Sequence, residues 1–241
     1  GERIKTAMAD WGMDLNGLQT NPDHPTGQVT VNFVDNEPSY DIVNQSAYDY
    51  IQPDRLPDIH GRPLLYHGSL ALRNPVSAGT LLTVKRKTAP YVFLDVNLRS
   101  PWWRLKNILP LLNDTSWLKL NHHELAELVP NCPNEEKRIS QLFSSTSLKT
   151  VTLTRGDKGA TTYRLKGSTS ISVFPKTWMQ VKDTVGAGDA FSSVLLLGFI
   201  RGWDIKTTLK RAQKFAGEII GVQGAIIKDE TFYKPFITSW K

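Results

Sequence analysis

The spacing of apolar positions changes character near residue 64. Upstream the pattern is weak. Residues 1–10 read as a helix with Ile4, Ala7 and Met8 on one face and Gly12 as its stop. Asn21-Pro22-Asp23-His24-Pro25 is a loop. Val29 to Val34 alternates as a strand, Asp35-Asn36-Glu37-Pro38 turns it, and Ser39 to Val43 returns, giving a small hairpin flap. Downstream, short apolar runs alternate with helix-period segments. Strands are expected at 64–67, 91–96, 116–120 and 151–154, then an antiparallel pair at 160–164 and 168–174. Helices are expected at 75–87, with Pro75 in the first turn where proline is tolerated, and at 103–112, interrupted by Pro110. Further helices are expected at 122–128, 134–145, 189–201 and 205–220. Such alternation predicts an α/β protein, with a mostly parallel sheet and helices on both faces.

Ligands of such sheets bind beyond the carboxyl ends of the strands. Polar residues gather at those ends here: Asn97 and Arg99 after one strand, Asn121 and Glu124 after the next, Thr154 and Gly156 after a third. A fourth stretch, Asp183-Thr184-Val185-Gly186-Ala187-Gly188-Asp189-Ala190-Phe191, lies between a strand-like run and an apolar helical one. Its glycines let backbone N–H groups approach a ligand, and a helix start leaves N–H groups unpaired with partial positive charge. That is an anion site, with the carboxylate of Asp189 inside it. The plain alternative is a glycine turn with Asp189 as a cap. The combination suits a reaction in which Asp189 takes a proton from a hydroxyl while the N–H groups hold phosphoryl charge. Asn121 and Glu124, three apart, are also what an ordinary capping box needs. The adjacent His122 and His123 diverge on a helix, so a zinc site is not expected there.

Composition changes this picture little. The chain has 241 residues, 40% hydrophobic and 22% charged, which fits a globular protein with a sizeable core. The net charge of +6 is scattered, and its densest group, Lys85-Arg86-Lys87, falls at a helix end, where cations suit the dipole. A nucleic-acid partner is therefore not expected, whereas binding of a polyanionic nucleotide is compatible with the excess. No apolar run approaches the roughly 18–20 residues that cross a bilayer, so no membrane partner is expected. The lone Cys132 fits a reducing compartment, and a cytoplasmic location is expected.

The stretch Asp183 to Phe191 resembles the second signature of the ribokinase-like, or PfkB, carbohydrate kinases. Other segments agree. Asn121-His122-His123-Glu124 resembles the family's N-x-x-E element, and Asp95-Val96-Asn97-Leu98-Arg99 the D-x-N-x-R run of fructokinase-like members. Thr154-Arg155-Gly156-Asp157-Lys158-Gly159 resembles the T-x-G-x-x-G turn. The resemblance implies a ribokinase-like fold with a β lid inserted at about residues 26–45 of one kinase domain spanning 1–241. It implies ATP-dependent phosphorylation of a sugar hydroxyl. Asp189 is then the catalytic base, Gly186, Ala187 and Gly188 the anion hole, and Arg99 a partner for phosphate oxygens. Asn121 and Glu124 organise Mg2+, largely through water. Thr154, Gly156 and Gly159 approach the ATP phosphates, and Gly224 and Ala225 lie at the adenine. Gly27, Gln28 and Asn97 contact the sugar together with Asp189. Asp183 and Thr184 offer oxygens to K+ in some members. Two copies pair through the lid in others.

The match begins at the helix that follows the family's first strand and glycine turn. About the first quarter of such a kinase, with half of its sugar pocket, is thus expected to lie outside these residues. Weak or absent turnover is expected of the 241 residues alone. The alternatives to a sugar kinase are a nucleoside kinase of the same fold and a non-catalytic nucleotide-binding relative.

Overall fold

The computed structural model describes residues 1–34, 37–165, 169–175 and 181–240. The expected turn at Asp35-Asn36 and the start of the strand at Ser168 lie outside the described residues. The chain divides into two compact units, Gly1–Val92 with Asn97–Ile108, and Phe93–Val96 with Leu109–Lys241.

In the first unit, α1 (Glu2–Asp10) buries none of its residues. β1 (Val29–Val34) and β2 (Glu37–Ile42) pair antiparallel, with Val29 opposite Ile42 and Val34 opposite Glu37. Three 3₁₀ turns, Ala47–Tyr50, Pro53–Arg55 and Leu70–Arg73, escape the apolar pattern because each is only three or four residues long. β3 (Leu64–His67) and α2 (Pro75–Thr88) lie where expected, and Asn74 caps α2. The helix expected at 103–112 is instead α3 (Leu105–Asn113), and it runs through Pro110 rather than breaking there. Lys106 and Pro110 are both exposed, so water can serve the carbonyl that the proline ring leaves without a donor.

The second unit holds most of the sheet. β4 (Tyr91–Asp95), β5 (Trp117–Asn121) and β6 (Thr150–Thr154) pair in parallel, and β7 (Ala160–Arg164) and β8 (Thr169–Val173) continue as an antiparallel margin. With β3 the six-stranded order is β3-β4-β5-β6-β7-β8. Strands buried on both faces must read as unbroken apolar runs. Phe93, Leu94, Leu118, Leu120, Val151 and Leu153 are accordingly all buried. α4 (His122–Leu128) packs on β5, β6 and α5 (Glu135–Ser145). α6 (Ala187–Arg201) packs on α7 (Ile205–Ile220), which covers β7 and β8. α8 (Lys234–Ser239) was not signalled by the sequence pattern, being six residues long with Pro235 near its start. This is the ribokinase-like architecture: a six-stranded, mostly parallel sheet with helices, and a separate two-stranded antiparallel sheet, the lid. No described helix is long and apolar enough to cross a membrane.

Candidate active site

Parallel pairing places the carboxyl ends of β4, β5 and β6 on one edge, so Asn121 and Thr154 close their strands side by side, and Asp95 closes β4 level with Lys119, two residues before the end of β5. The start of α6 is tied to the same edge. The Ser192 hydroxyl, one turn into α6, donates to Asp95 Oδ2 at 2.7 Å. Lys119 Nζ donates to both Asp95 oxygens, at 3.1 and 2.9 Å.

α6 begins two residues before its apolar period becomes visible. Its cap is therefore Gly186, with a left-handed φ of 83°, and Asp189 is its third residue, which corrects the reading of Asp189 as a cap. A Cβ at Gly186 would lie 2.7 Å from the Cβ of Ala225, so this close approach of two loops requires glycine. The Ala187 N–H is directed to Thr184 O at 3.3 Å. Among the described residues, the N–H groups of Gly186, Gly188 and Asp189 and the Asp189 carboxylate have no hydrogen-bond partner, and Asp189 is exposed. A free carboxylate thus stands beside free donors at the positive end of a 15-residue helix.

The neighbouring loop is fixed by Asp183. One of its oxygens accepts from Val185 N and the other from Gly224 N, both at 2.9 Å. These bonds hold its carboxyl below the ordinary range. Asp183 and Thr184 therefore already serve the turn through backbone bonds, and Gly224 and Ala225 are docked on the Asp183–Gly186 loop.

Asn121 and Glu124 form the capping box that their spacing allows. Asn121 Oδ1 accepts from His123 N and Glu124 N, and Glu124 Oε2 accepts from Asn121 N at 2.8 Å. Among the described residues there is no group of three or more His, Cys, Asp or Glu side chains that could hold a metal directly. The donors present fit a magnesium ion that keeps its waters and leans on substrate phosphates, not a protein cage. His122 lies below its usual range, chiefly through loss of water and then through the positive charges of His123, Lys158 and Arg155.

Thr154 ends β6, and Gly156 follows with φ 57° and open space at its Cβ position. Gly159 has a different reason to be glycine. A Cβ there would sit 2.0 Å from Val173 O, so it lets β8 close on the turn. In the first unit, Asn97 is left-handed at φ 44°, and the exposed Arg99 makes no ion pair among the described residues. Gly27 lies against Tyr48, whose ring would be 2.3 Å from an added Cβ, and Gln28 O accepts from Val43 N at the base of the hairpin. Trp102 stacks over the Arg73 guanidinium at 4.4 Å.

Sequence reasoning passed over Asp95, Lys119 and Ser192 as a group. A signal existed: lysine is almost never buried without a partner, and Lys119 interrupts the apolar run Trp117-Leu118-Lys119-Leu120. Nothing local names its partner. Arg155 was likewise passed over, although it ion-pairs Glu135 and bonds Tyr163.

The chain matches the pfkB family carbohydrate kinase over residues 1–231. It is 28% identical over 216 residues to the aminoimidazole riboside kinase of Salmonella typhimurium, covering 85% of this chain and 66% of that protein. It is 28% identical over 208 residues to the fructokinase of Klebsiella pneumoniae, covering 82% of this chain and again 66% of the relative. The crystal structure of the Salmonella enterica aminoimidazole riboside kinase, complexed with aminoimidazole riboside and an ATP analog, superposes with a TM-score of 0.80. That match has 25% identity and covers 93% of this chain and 76% of that one. The chain thus spans just under two thirds of the length of these two curated relatives. With its strand-end motifs, its glycine-started helix and a family match over nearly its whole length, the chain belongs to the pfkB family of carbohydrate kinases.

Proposed function

We propose that the protein transfers the γ-phosphoryl group of ATP to a hydroxyl of a sugar, as fructokinases do. The observation that carries this reading is the exposed, unpartnered Asp189 beside the free N–H groups of Gly186, Gly188 and itself. Asp189 takes the proton of the acceptor hydroxyl as that oxygen attacks phosphorus. The free N–H groups of Gly186 and Gly188 hold the charge on the phosphoryl oxygens, joined by that of Ala187 when it leaves Thr184 O, and Arg99 is a further partner for phosphate. Thr154, Gly156 and Gly159 line the phosphate chain, and Gly224 and Ala225 meet the base. Gly27, Gln28 and Asn97 are the sugar contacts. Asn121 and Glu124 would hold magnesium through water, and the ion would neutralise phosphate charge. Asp183 and Thr184 would hold a potassium ion through the oxygen lone pairs that their backbone bonds leave over.

A second reading, a nucleoside kinase with the same chemistry, is favoured by the similarity to the aminoimidazole riboside kinase. ADP release by the full-length protein, tested with hexoses, pentoses and nucleosides, decides between them. Release with a sugar, lost in Asp189→Asn, is expected. Release with nucleosides alone selects the second reading. Equal release by Asp189→Asn, or none with any acceptor, overturns the kinase mechanism and leaves a nucleotide-binding relative.

A further inference from the structure

Asp95 and Lys119 are paired residues of adjacent parallel strands, so their side chains leave the sheet on the same face at the same height. Both are buried, at 4% and 8% exposure, and Ser192 at 1% joins them from α6. A buried ion pair is poor material for stability alone, because apolar residues of similar volume serve as well or better. This one is placed under the proposed active site. A Cβ added to Gly188 would be 3.3 Å from Lys119 Nζ, so the first turn of α6 rests on the ammonium group. Ser192 follows Asp189 by three residues, on neighbouring positions of the helix surface, and bonds the carboxylate that Lys119 holds.

We propose that Lys119, Asp95 and Ser192 form a positioning device: the pair at the strand ends sets the height and rotation of the first turn of α6, and thereby where Asp189 and its neighbouring N–H groups stand. As a statement about catalysis, this rests on the kinase reading above. As a statement about the helix, it does not. None of the three residues touches substrate in this account. Their contribution is geometric, and misplacement of a base by about 1 Å costs on the order of 100-fold in rate.

Ser192→Ala removes the bond from the helix and leaves the ion pair intact. Asp95→Asn with Lys119→Met removes both charges without orphaning either, and keeps an acceptor for Ser192. Should Ser192→Ala fail to fold, the pair is read in the same way. Two readouts are taken on the full-length protein. Amide hydrogen exchange over residues 186–191 is expected to quicken about tenfold, with β4 and β5 unchanged. The kcat for ADP release, measured well below the melting temperature, is expected to fall about 100-fold with KM for ATP within about twofold. Unchanged exchange at 186–191, exchange that rises equally throughout, or an unchanged kcat overturns the device. Local loosening in a parent protein that never turns over supports the positioning and rejects the kinase reading, so the two fail separately.

Discussion

The two units of the chain hold their functional loops by different means. In the second unit the buried strands β4, β5 and β6 supply an apolar frame, Ser192 ties the start of α6 to the Asp95–Lys119 pair, and the loops at the strand ends are closed by short side-chain caps: Asn121 with Glu124, and Asp183 with Val185 and Gly224. In the first unit the hairpin is anchored by a polar clamp. Arg73, 6% exposed at its side chain, gives hydrogen bonds to both oxygens of Asp49 and to Val43 O at the base of β2. Trp102 and Tyr48 flank its guanidinium. Asp49, 1% exposed, also accepts from Ser46 N, and Ser46 Oγ donates to Val43 O. Periodic apolar burial can position a site with exposed functional groups, because stability comes from elsewhere. A segment with little periodic burial needs specific polar partners, and each of them then matters for folding.

The sharpest test of that contrast is Asp189→Asn. Asp189 is exposed and unpartnered, so the exchange should lower ADP release by up to about 10⁴-fold, roughly 5 kcal/mol, with little change in melting temperature. A large loss of stability would mean that the second unit does depend on its site residue. Arg73→Ala should do the reverse. It leaves Asp49 buried without its cation and should destabilise the first unit by about 4 kcal/mol in denaturant titration. The paired change Arg73→Met with Asp49→Asn should recover much of that loss. If Arg73→Ala costs under about 1 kcal/mol, the clamp is no anchor.

A smaller effect concerns His67, at the end of β3. Its Nδ1–H donates to Gly68 O at 2.9 Å, and its Nε2 is buried without a partner. Burial, helped by the charge of Lys85, pushes its pKa down to about 4, whereas the unfolded chain titrates near 6.5. The unfolded state therefore binds the proton first as pH falls. This contribution is complete above about pH 6.5 and is lost between there and about pH 4, on the order of 3 kcal/mol. His67→Gln should flatten that part of the stability profile, and an unchanged profile would assign the acid sensitivity to other groups.

Much of the second unit was legible because its signals are local. Strand, turn and helix follow within about ten residues, and a glycine loop before an apolar helix announces an anion site wherever it occurs. The fold class, the polar residues at the strand ends and the capping box at Asn121 all rest on such short spacings. The start of α6 was misjudged by two residues because its glycine-rich first turn carries no apolar period. The first unit was harder to read. Its 3₁₀ turns are too short to show periodicity, and Arg73 meets Asp49 across 24 residues of irregular chain.

The sequence by itself determined which polar groups stand at the loops and strand ends: Asp189, the N–H donors about it, and the polar residues that close the strands, each set by neighbours a few positions away. The tertiary structure decided what holds them. Ser192 reaches Asp95 across 97 residues, Lys119 supports Gly188, Ala225 closes on Gly186, and Val173 O fills the space beside Gly159. A side chain's type fixes its charge and hydrogen-bonding capacity, but its partner is chosen only when the sheet and helices bring distant residues within a few ångströms.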